Sequence, residues 1–188
     1  MIRYCCLAMV TFCFTSVSYA RPLATVKQDE PLQQEAEKYS RRNSRANHRW
    51  QRVRGERMDI PDHLRVEPAD NTEFDLNNKD FEKKSPMVEY DFTFDKAGTY
   101  YVWIRAKGEP GGSSLAIGLD DEIARSEPVG DFPPKFDWRS THRDNERIKL
   151  EVGAPGDHVL QFWAIGDGFR VDKFIITSAP DYNPPSDN

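Results

Sequence analysis

The sequence predicts an all-β protein, a β-sandwich of the jelly-roll type. Several segments in the second half of the chain alternate apolar with polar side chains, which is the pattern of half-buried strands. Turns rich in glycine, proline and aspartate separate these segments at short intervals. No stretch has a strong helical period, and short strands joined by such turns are typical of sandwiches and jelly rolls.

The predicted strands follow one another from Val88 onward. Apolar residues alternate with polar ones over 88–94, and Asp95 to Gly98 forms a turn. The next stretch, TYYVWIRA at 99–106, is rich in aromatic and β-branched residues, as strands are. The same signals predict further strands over 115–119, 147–152, 158–165 and 169–177. Residues 58–84 and 125–145 are predicted to be mostly loops, and long loops are often functional.

The first twenty residues have the pattern of a secretory signal peptide. Arg3 supplies a positive charge, Tyr4 to Val17 carries none, and Ser18 and Ala20 are the small residues that a signal peptidase recognises. We therefore expect cleavage after Ala20 and a secreted or periplasmic protein. The apolar run is shorter than a membrane span, and no later apolar run approaches that length, so we expect no integral membrane segment in the mature chain.

The remaining chain is predicted to hold one domain. We expect a linker over 21–30, a β-sandwich domain over 31–178 and a flexible, proline-containing tail over 179–188. All three cysteines, Cys5, Cys6 and Cys13, lie in the signal peptide, which excludes disulfides and thiol chemistry from the mature domain.

Charge argues against nucleic acid as a partner. The net charge of the whole chain is −5, whereas nucleic-acid-binding domains are typically basic. Arginines nevertheless crowd the stretch 41–57. This stretch is either a solvated face, the simpler interpretation, or a patch for anionic ligands such as acidic sugars.

Several motifs resemble a known family when they are taken in order. These are SPMVEYDFTFDKAGTYYVWIRAKG at 85–108, LDD at 119–121, GDHVL at 156–160 and DGFRVDKF at 167–174. They resemble carbohydrate-binding modules of the family 6 and family 35 group, and especially the C-terminal domain of family 115 glycoside hydrolases. EAE at 35–37 is similar to the segment that opens these modules. The resemblance implies a non-catalytic, lectin-like domain that binds polysaccharide.

The last predicted strand, RVDKFIIT at 170–177, raises a question about one carboxylate. Asp172 is in phase with Phe174 and Ile176, which would face the core, and an unpaired buried charge is very costly. The resemblance implies a structural calcium ion held by Glu35, Glu37 and Asp172, and calcium takes several oxygen ligands. Alternatively, Asp172 pairs with an arginine or caps backbone N–H groups at the sheet edge.

Aromatic side chains beside arginines are the candidate sugar platforms, because sugar faces stack on large flat rings. Trp138 with Arg139 is the first candidate, and Trp50 with Arg49 and Arg52 is the second. In either case the ring could instead plug the end of the sandwich. Trp103 and Trp163 lie inside predicted strands, and we expect both to pack in the core.

No catalytic set is recognisable, so we expect the protein not to be an enzyme. The four histidines are scattered, and none lies in a metal-binding motif. Ser140, His142 and Asp144 are too close in sequence for a typical catalytic triad. Asp167 lies between two glycines in a predicted turn that could border a site. The alternative function is a structural or protein-interaction domain that contacts other secreted proteins.

Overall fold

The computed structural model describes residues 23–55, 60–109 and 112–185, and in these ranges almost all of the regular secondary structure is β-strand. The predicted signal peptide over 1–20 lies outside the described residues. The elements, in chain order, are β1 (Ala24–Val26), β2 (Leu32–Glu35), β3 (Arg41–Asn43), β4 (Arg49–Val53), β5 (His63–Glu67), α1 (Phe81–Lys84), β6 (Met87–Phe94), β7 (Gly98–Lys107), β8 (Ser114–Leu119), β9 (Glu122–Ile123), β10 (Val129–Gly130), β11 (Asp137–Arg139), β12 (Lys149–Val152), β13 (Gly156–Ala164) and β14 (Arg170–Thr177).

The strands form two seven-stranded sheets, which confirms the predicted β-sandwich. Sheet A has the order β1-β6-β13-β8-β10, with β3 also paired to β6 and β9 to β8. Sheet B has the order β11-β7-β14-β5-β4, with β12 also paired to β7 and β2 to β14. Neighbours in each sheet come from distant parts of the sequence, so loops from several regions meet at the ends of the sandwich.

The core lies between the sheets and is built from the inward-facing residues of their central strands. Tyr90 of β6 and Phe162 of β13 contact Phe174 of β14, with ring centroids 4.8 and 5.0 Å apart. The Tyr90 hydroxyl donates to the Ala36 carbonyl oxygen at 2.8 Å, so its polar end is satisfied as well. Full burial stabilises each such side chain by roughly 1.5–3 kcal/mol, which explains why the alternating pattern specifies these strands.

Three segments differ from expectation. The predicted linker over 21–30 contributes β1, which pairs in parallel with β6 and buries Val26 completely. The predicted loop over 58–84 contains β5, which joins β4 to β14. The predicted loop over 125–145 contains β10 and β11. These strands are short, so their own sequences carry little periodicity and their pairing depends on distant partners.

The helical content is limited to one short element in the described ranges. The four-residue helix α1 has only Phe81 buried. No helix among the described residues is long and apolar enough to cross a membrane.

Candidate functional site

One face of sheet B carries three partly exposed aromatic rings. On β7, Val102 and Ile104 are buried in the core, and the residues that alternate with them, Tyr101 and Trp103, point outward. On β11, Trp138 lies directly opposite Arg105 of β7, which is also an outward position. Tyr101, Trp103 and Trp138 therefore share the outward side of sheet B, and we call these three residues the aromatic face.

Two cations lie over these rings. The Arg147 guanidinium is 5.3 Å from the centroid of the Tyr101 ring and 5.2 Å from that of Trp103. The Lys173 ammonium is 6.0 Å from the centroid of the Trp138 ring. Each contact is worth about 0.5–1 kcal/mol where it is exposed. The aromatic face thus has two cations beside its rings, and one of them, Lys173, also lies 4.0 Å from the Asp172 carboxylate.

Several N–H donors on this face lack an acceptor. The indole Nε1 atoms of Trp103 and Trp138 are buried without a hydrogen-bond partner in the described part of the chain. Arg147 donates from Nη1 to the Pro180 carbonyl oxygen at 3.0 Å, while its Nε and Nη2 atoms are buried without an acceptor there. Such donors are rare in folded proteins and call for a water or ligand partner.

The structure separates the two members of the first predicted platform. Trp138 belongs to the aromatic face, but Arg139 follows it on β11 and starts on the opposite side of the strand. The Arg139 Nη1 atom lies 3.5 Å from the Asp137 carboxylate, on that opposite side. Trp138 and Arg139 therefore start on opposite faces of β11, because successive strand residues point to opposite sides.

The second predicted platform is wrong. Trp50 is 0% exposed, and its Nε1 atom donates to the Pro86 carbonyl oxygen at 3.1 Å. Its ring packs edge-on against Phe169, so it is a core residue. Arg52 remains exposed and lies over the Tyr39 ring, 4.6 Å from the centroid. Conversely Trp103, which was expected in the core, lies on the outward side of sheet B.

Asp172 is buried next to an arginine. The register of β14 against β7 shifts between Val171 and Lys173, and this bulge takes Asp172 out of the alternation that the sequence suggested. The Arg105 Nη1 atom donates to the Asp172 Oδ2 atom at 2.5 Å. Burial raises the pKa of Asp172, and Glu35 adds to this rise while Arg105 opposes it. The arginine pair that was left open as an alternative is therefore present.

Glu35 and Glu37 reach the same region from the end of β2. The Ala36 N–H between them donates to the Asp172 carbonyl oxygen at 2.8 Å. The Glu37 Oε2 atom is buried without a partner in the described ranges, and burial, with a contribution from Glu35, raises the pKa of Glu37. A compact set of metal-type ligands, with all ligand atoms within 4.8 Å of one another, is found elsewhere, at His48, Asp70 and Asp167.

The two-sheet architecture is that of carbohydrate-binding modules. A family 35 carbohydrate-binding module from Clostridium thermocellum matches with a TM-score of 0.52 and 15% identity, over 80% of this chain and 99% of that one. A module of Cellvibrio mixtus lichenase 5A in complex with cellotriose matches with a TM-score of 0.51 and 12% identity, over 77% and 95% of the two chains. At identities as low as these, the structural similarity shows the fold alone.

The family is defined by the sequence match. Residues 26–183 match the glycosyl hydrolase family 115 C-terminal domain, and the chain belongs to this family. The resemblance inferred from the sequence motifs is thereby confirmed. A curated relative, uncharacterized protein P23 of Formosa agariphila, is 27% identical over an alignment of 154 residues that covers 76% of this chain and 37% of the relative. The chain thus spans about 37% of the length of that relative.

Proposed function

We propose that this domain binds polysaccharide through the aromatic face without catalysing a reaction. The observation that carries the proposal is that Tyr101, Trp103 and Trp138 line one side of sheet B beside unsatisfied N–H donors. Rings supply stacking area at low entropic cost, and the donors suit the many oxygens of a sugar chain. The fold supports this ligand class, since a solved module of the same fold holds cellotriose.

The proposal extends to anionic polysaccharides, which carry uronate or sulfate groups. The Arg147 guanidinium has N–H groups without acceptors in the described chain, and the Lys173 ammonium lies over the neighbouring ring. A carboxylate or sulfate would take charge-assisted hydrogen bonds from such a guanidinium, and these are about twice as strong as neutral ones. Neutral sugars could use only the stacking and the weaker bonds.

The proposal also includes export from the cytoplasm. Residues 1–20 have the composition of a secretory signal peptide, and the domain that follows has no cysteine and needs no disulfide. Polysaccharides of cell walls and surfaces are accessible to such an exported domain. A mass spectrum of protein from a secreting host should show a chain that begins after Ala20, and a full-length chain would contradict the prediction.

Affinity electrophoresis against neutral, uronic and sulfated polysaccharides tests the binding proposal. The wild type should be retarded most by an anionic class. Trp138→Ala and Trp103→Ala should each weaken binding by about tenfold or more, which corresponds to about 1.4 kcal/mol, because each removes a stacking surface. Arg147→Gln should weaken binding to the anionic class selectively.

A matched control is Tyr39→Ala. Tyr39 is also a partly exposed aromatic residue beneath an arginine, Arg52, but it lies outside the aromatic face. The Tyr39→Ala variant should be retarded by polysaccharide as much as the wild type is. Absence of retardation by every polysaccharide would overturn the proposal and favour a structural or protein-interaction domain. Equal loss in Tyr39→Ala and Trp138→Ala would refute the choice of face.

A structural calcium ion is a second proposal, held by Glu35, Glu37 and Asp172. The Glu37 Oε2 atom has no partner in the described ranges, and burial raises the pKa values of Glu37 and Asp172, so a bound cation would stabilise both carboxylates. Since Arg105 already pairs with Asp172, the ion would share that carboxylate with the guanidinium. Carboxylate oxygens are the ligands that calcium prefers.

Thermal unfolding in calcium and in EGTA tests this second proposal. We expect calcium to raise the Tm of the wild type, because an ion that binds only the folded state stabilises it. Glu37→Gln should abolish that rise. Glu151→Gln, which removes an exposed carboxylate on β12, should preserve it. A wild type with equal Tm values in calcium and EGTA, or a Glu37→Gln variant with an unchanged calcium response, would exclude the site.

A further inference from the structure

Three loops converge at one end of the sandwich and bring together a histidine and two aspartates. His48 closes the turn before β4, Asp70 follows β5, and Asp167 lies in the turn between β13 and β14. The loops are tied by backbone hydrogen bonds, including one from Asp167 N–H to the Thr72 carbonyl oxygen at 3.1 Å. The Asp167 Oδ2 atom accepts from the N–H groups of Asp70 and Thr72, at 2.6 and 2.9 Å. Its carboxylate is therefore fixed in place.

The tautomer of His48 is defined by one contact. The His48 Nδ1 atom lies 2.9 Å from the Ala46 carbonyl oxygen, which can only accept, so Nδ1 carries a hydrogen. The other ring nitrogen, Nε2, lies 3.1 Å from Asp70 Oδ1 and 3.8 Å from Asp167 Oδ2. A backbone carbonyl that fixes Nδ1–H and presents Nε2 is the usual outer partner of a metal-bound histidine.

If the His48 ring is neutral, the cluster of His48, Asp70 and Asp167 holds two carboxyl groups and no positive charge. The Nε2 lone pair then faces two carboxylates, and acceptors that face one another repel. The Asp167 side chain is 0% exposed, and its Oδ1 atom is buried without a hydrogen-bond partner in the described residues. The Asp70 Oδ1 atom, which lies 3.1 Å from Nε2, accepts from the Thr72 hydroxyl at 2.6 Å, so this carboxylate is also held at the site. The site therefore needs either a proton on Nε2 or a bound cation.

We propose that His48, Asp70 and Asp167 bind a divalent cation of the zinc class. One imidazole nitrogen and two carboxylates are ligands that zinc accepts, with water in a fourth position, whereas calcium prefers oxygen ligands alone. All three ligand atoms lie within 4.8 Å of one another. Asp70 is 52% exposed, which leaves a path for entry of the ion. The ion would clip three loops together, and its site shares no residue with the aromatic face or with the proposed calcium site.

Calorimetric titration of untagged, EDTA-treated protein with zinc chloride at pH 7.5 tests this proposal. We expect one ion per chain. His48→Gln and Asp167→Asn should each weaken binding at least tenfold, because even an outer partner of a metal ligand contributes about 10–100-fold. Asp70→Asn, at the exposed position, should also weaken binding at least tenfold, and its circular dichroism spectrum in EDTA should match that of the wild type. Excess calcium should not displace the zinc.

The matched control is His158→Gln. His158 also pairs with an aspartate, Asp120, at 2.6 Å, but its second ring nitrogen is already bonded to the Ala154 carbonyl oxygen. This variant should bind zinc as the wild type does. Failure of the wild type to bind zinc would overturn the proposal and leave the cluster as a contact between His48 and the two aspartates. Zinc binding that persists in folded Asp70→Asn, or is lost in His158→Gln, would also overturn the proposal.

Discussion

Trp50→Ala should lower the free energy of unfolding by about 3–5 kcal/mol, which is the usual cost of deleting a large buried aromatic side chain. Trp50 is 0% exposed, and its ring packs against Phe169, with centroids 6.3 Å apart. The substitution leaves a cavity and also deprives the Pro86 carbonyl oxygen of the indole N–H that binds it at 3.1 Å. Both effects act on the folded state.

Urea unfolding followed by circular dichroism measures this loss. Arg52→Ala is the control, because Arg52 is two residues further along β4 and is exposed. It should cost less than about 1 kcal/mol, as surface changes usually do. The folded fraction of Trp50→Ala should still be retarded by the polysaccharide that binds the wild type. A small loss of stability combined with a loss of binding would return Trp50 to the role of a sugar platform.

The pattern of β7 predicts a strand but does not show which of its two faces lies against the core. The segment TYYVWIRA predicted a strand correctly, because aromatic and β-branched residues suit a pleated surface. Both faces of this strand, however, carry aromatic residues. Tyr100 is buried on the core side, and Trp103 lies on the outward side. Hydrophobicity alone therefore assigned Trp103 to the core. The deciding neighbours, Arg147 and Trp138, come from other segments.

The surroundings of Trp50 and His48 also depend on residues that are distant in sequence. β4 has the sequence RWQRV, which looks like an exposed basic stretch, and the burial of Trp50 arises only when Phe169 packs against it. His48 lies 22 residues from Asp70, and Asp70 lies 97 residues from Asp167. Local spacing could not reveal a cluster of this kind. The glycines beside Asp167 did predict its turn, and the topology then placed that turn next to the loop after β5.

The alternation of β14 is interrupted by a bulge that its residue pattern does not reveal. Val171 and Phe174 are both buried in the core, which is possible only because the bulge inserts an extra residue between them. The sequence correctly indicated that Asp172 is buried. Arg105, from the outward side of β7, donates to the Asp172 carboxylate, and the Lys173 ammonium lies 4.0 Å from the same oxygen.

Asp172→Ala should therefore lower the free energy of unfolding by about 3–5 kcal/mol, as expected when one partner of a buried ion pair is removed. The Asp172 side chain is 2% exposed and that of Arg105 is 14% exposed, so little water can replace the lost carboxylate. Arg105 is also held over the Phe136 ring, 5.2 Å from its centroid, which restricts its movement toward solvent. Urea unfolding in EGTA measures the contribution of the ion pair without any contribution from calcium.

The double variant Arg105→Met/Asp172→Leu separates the ion pair from packing. Replacing both charges with apolar side chains is often neutral or stabilising, because neither charge then has to be desolvated. We expect the double variant to recover at least half of the loss seen in Asp172→Ala. If Asp172→Ala costs less than about 1 kcal/mol, the pair behaves as a solvated surface ion pair. If the loss appears only when calcium is present, the cation that stabilises Asp172 is the metal ion rather than Arg105.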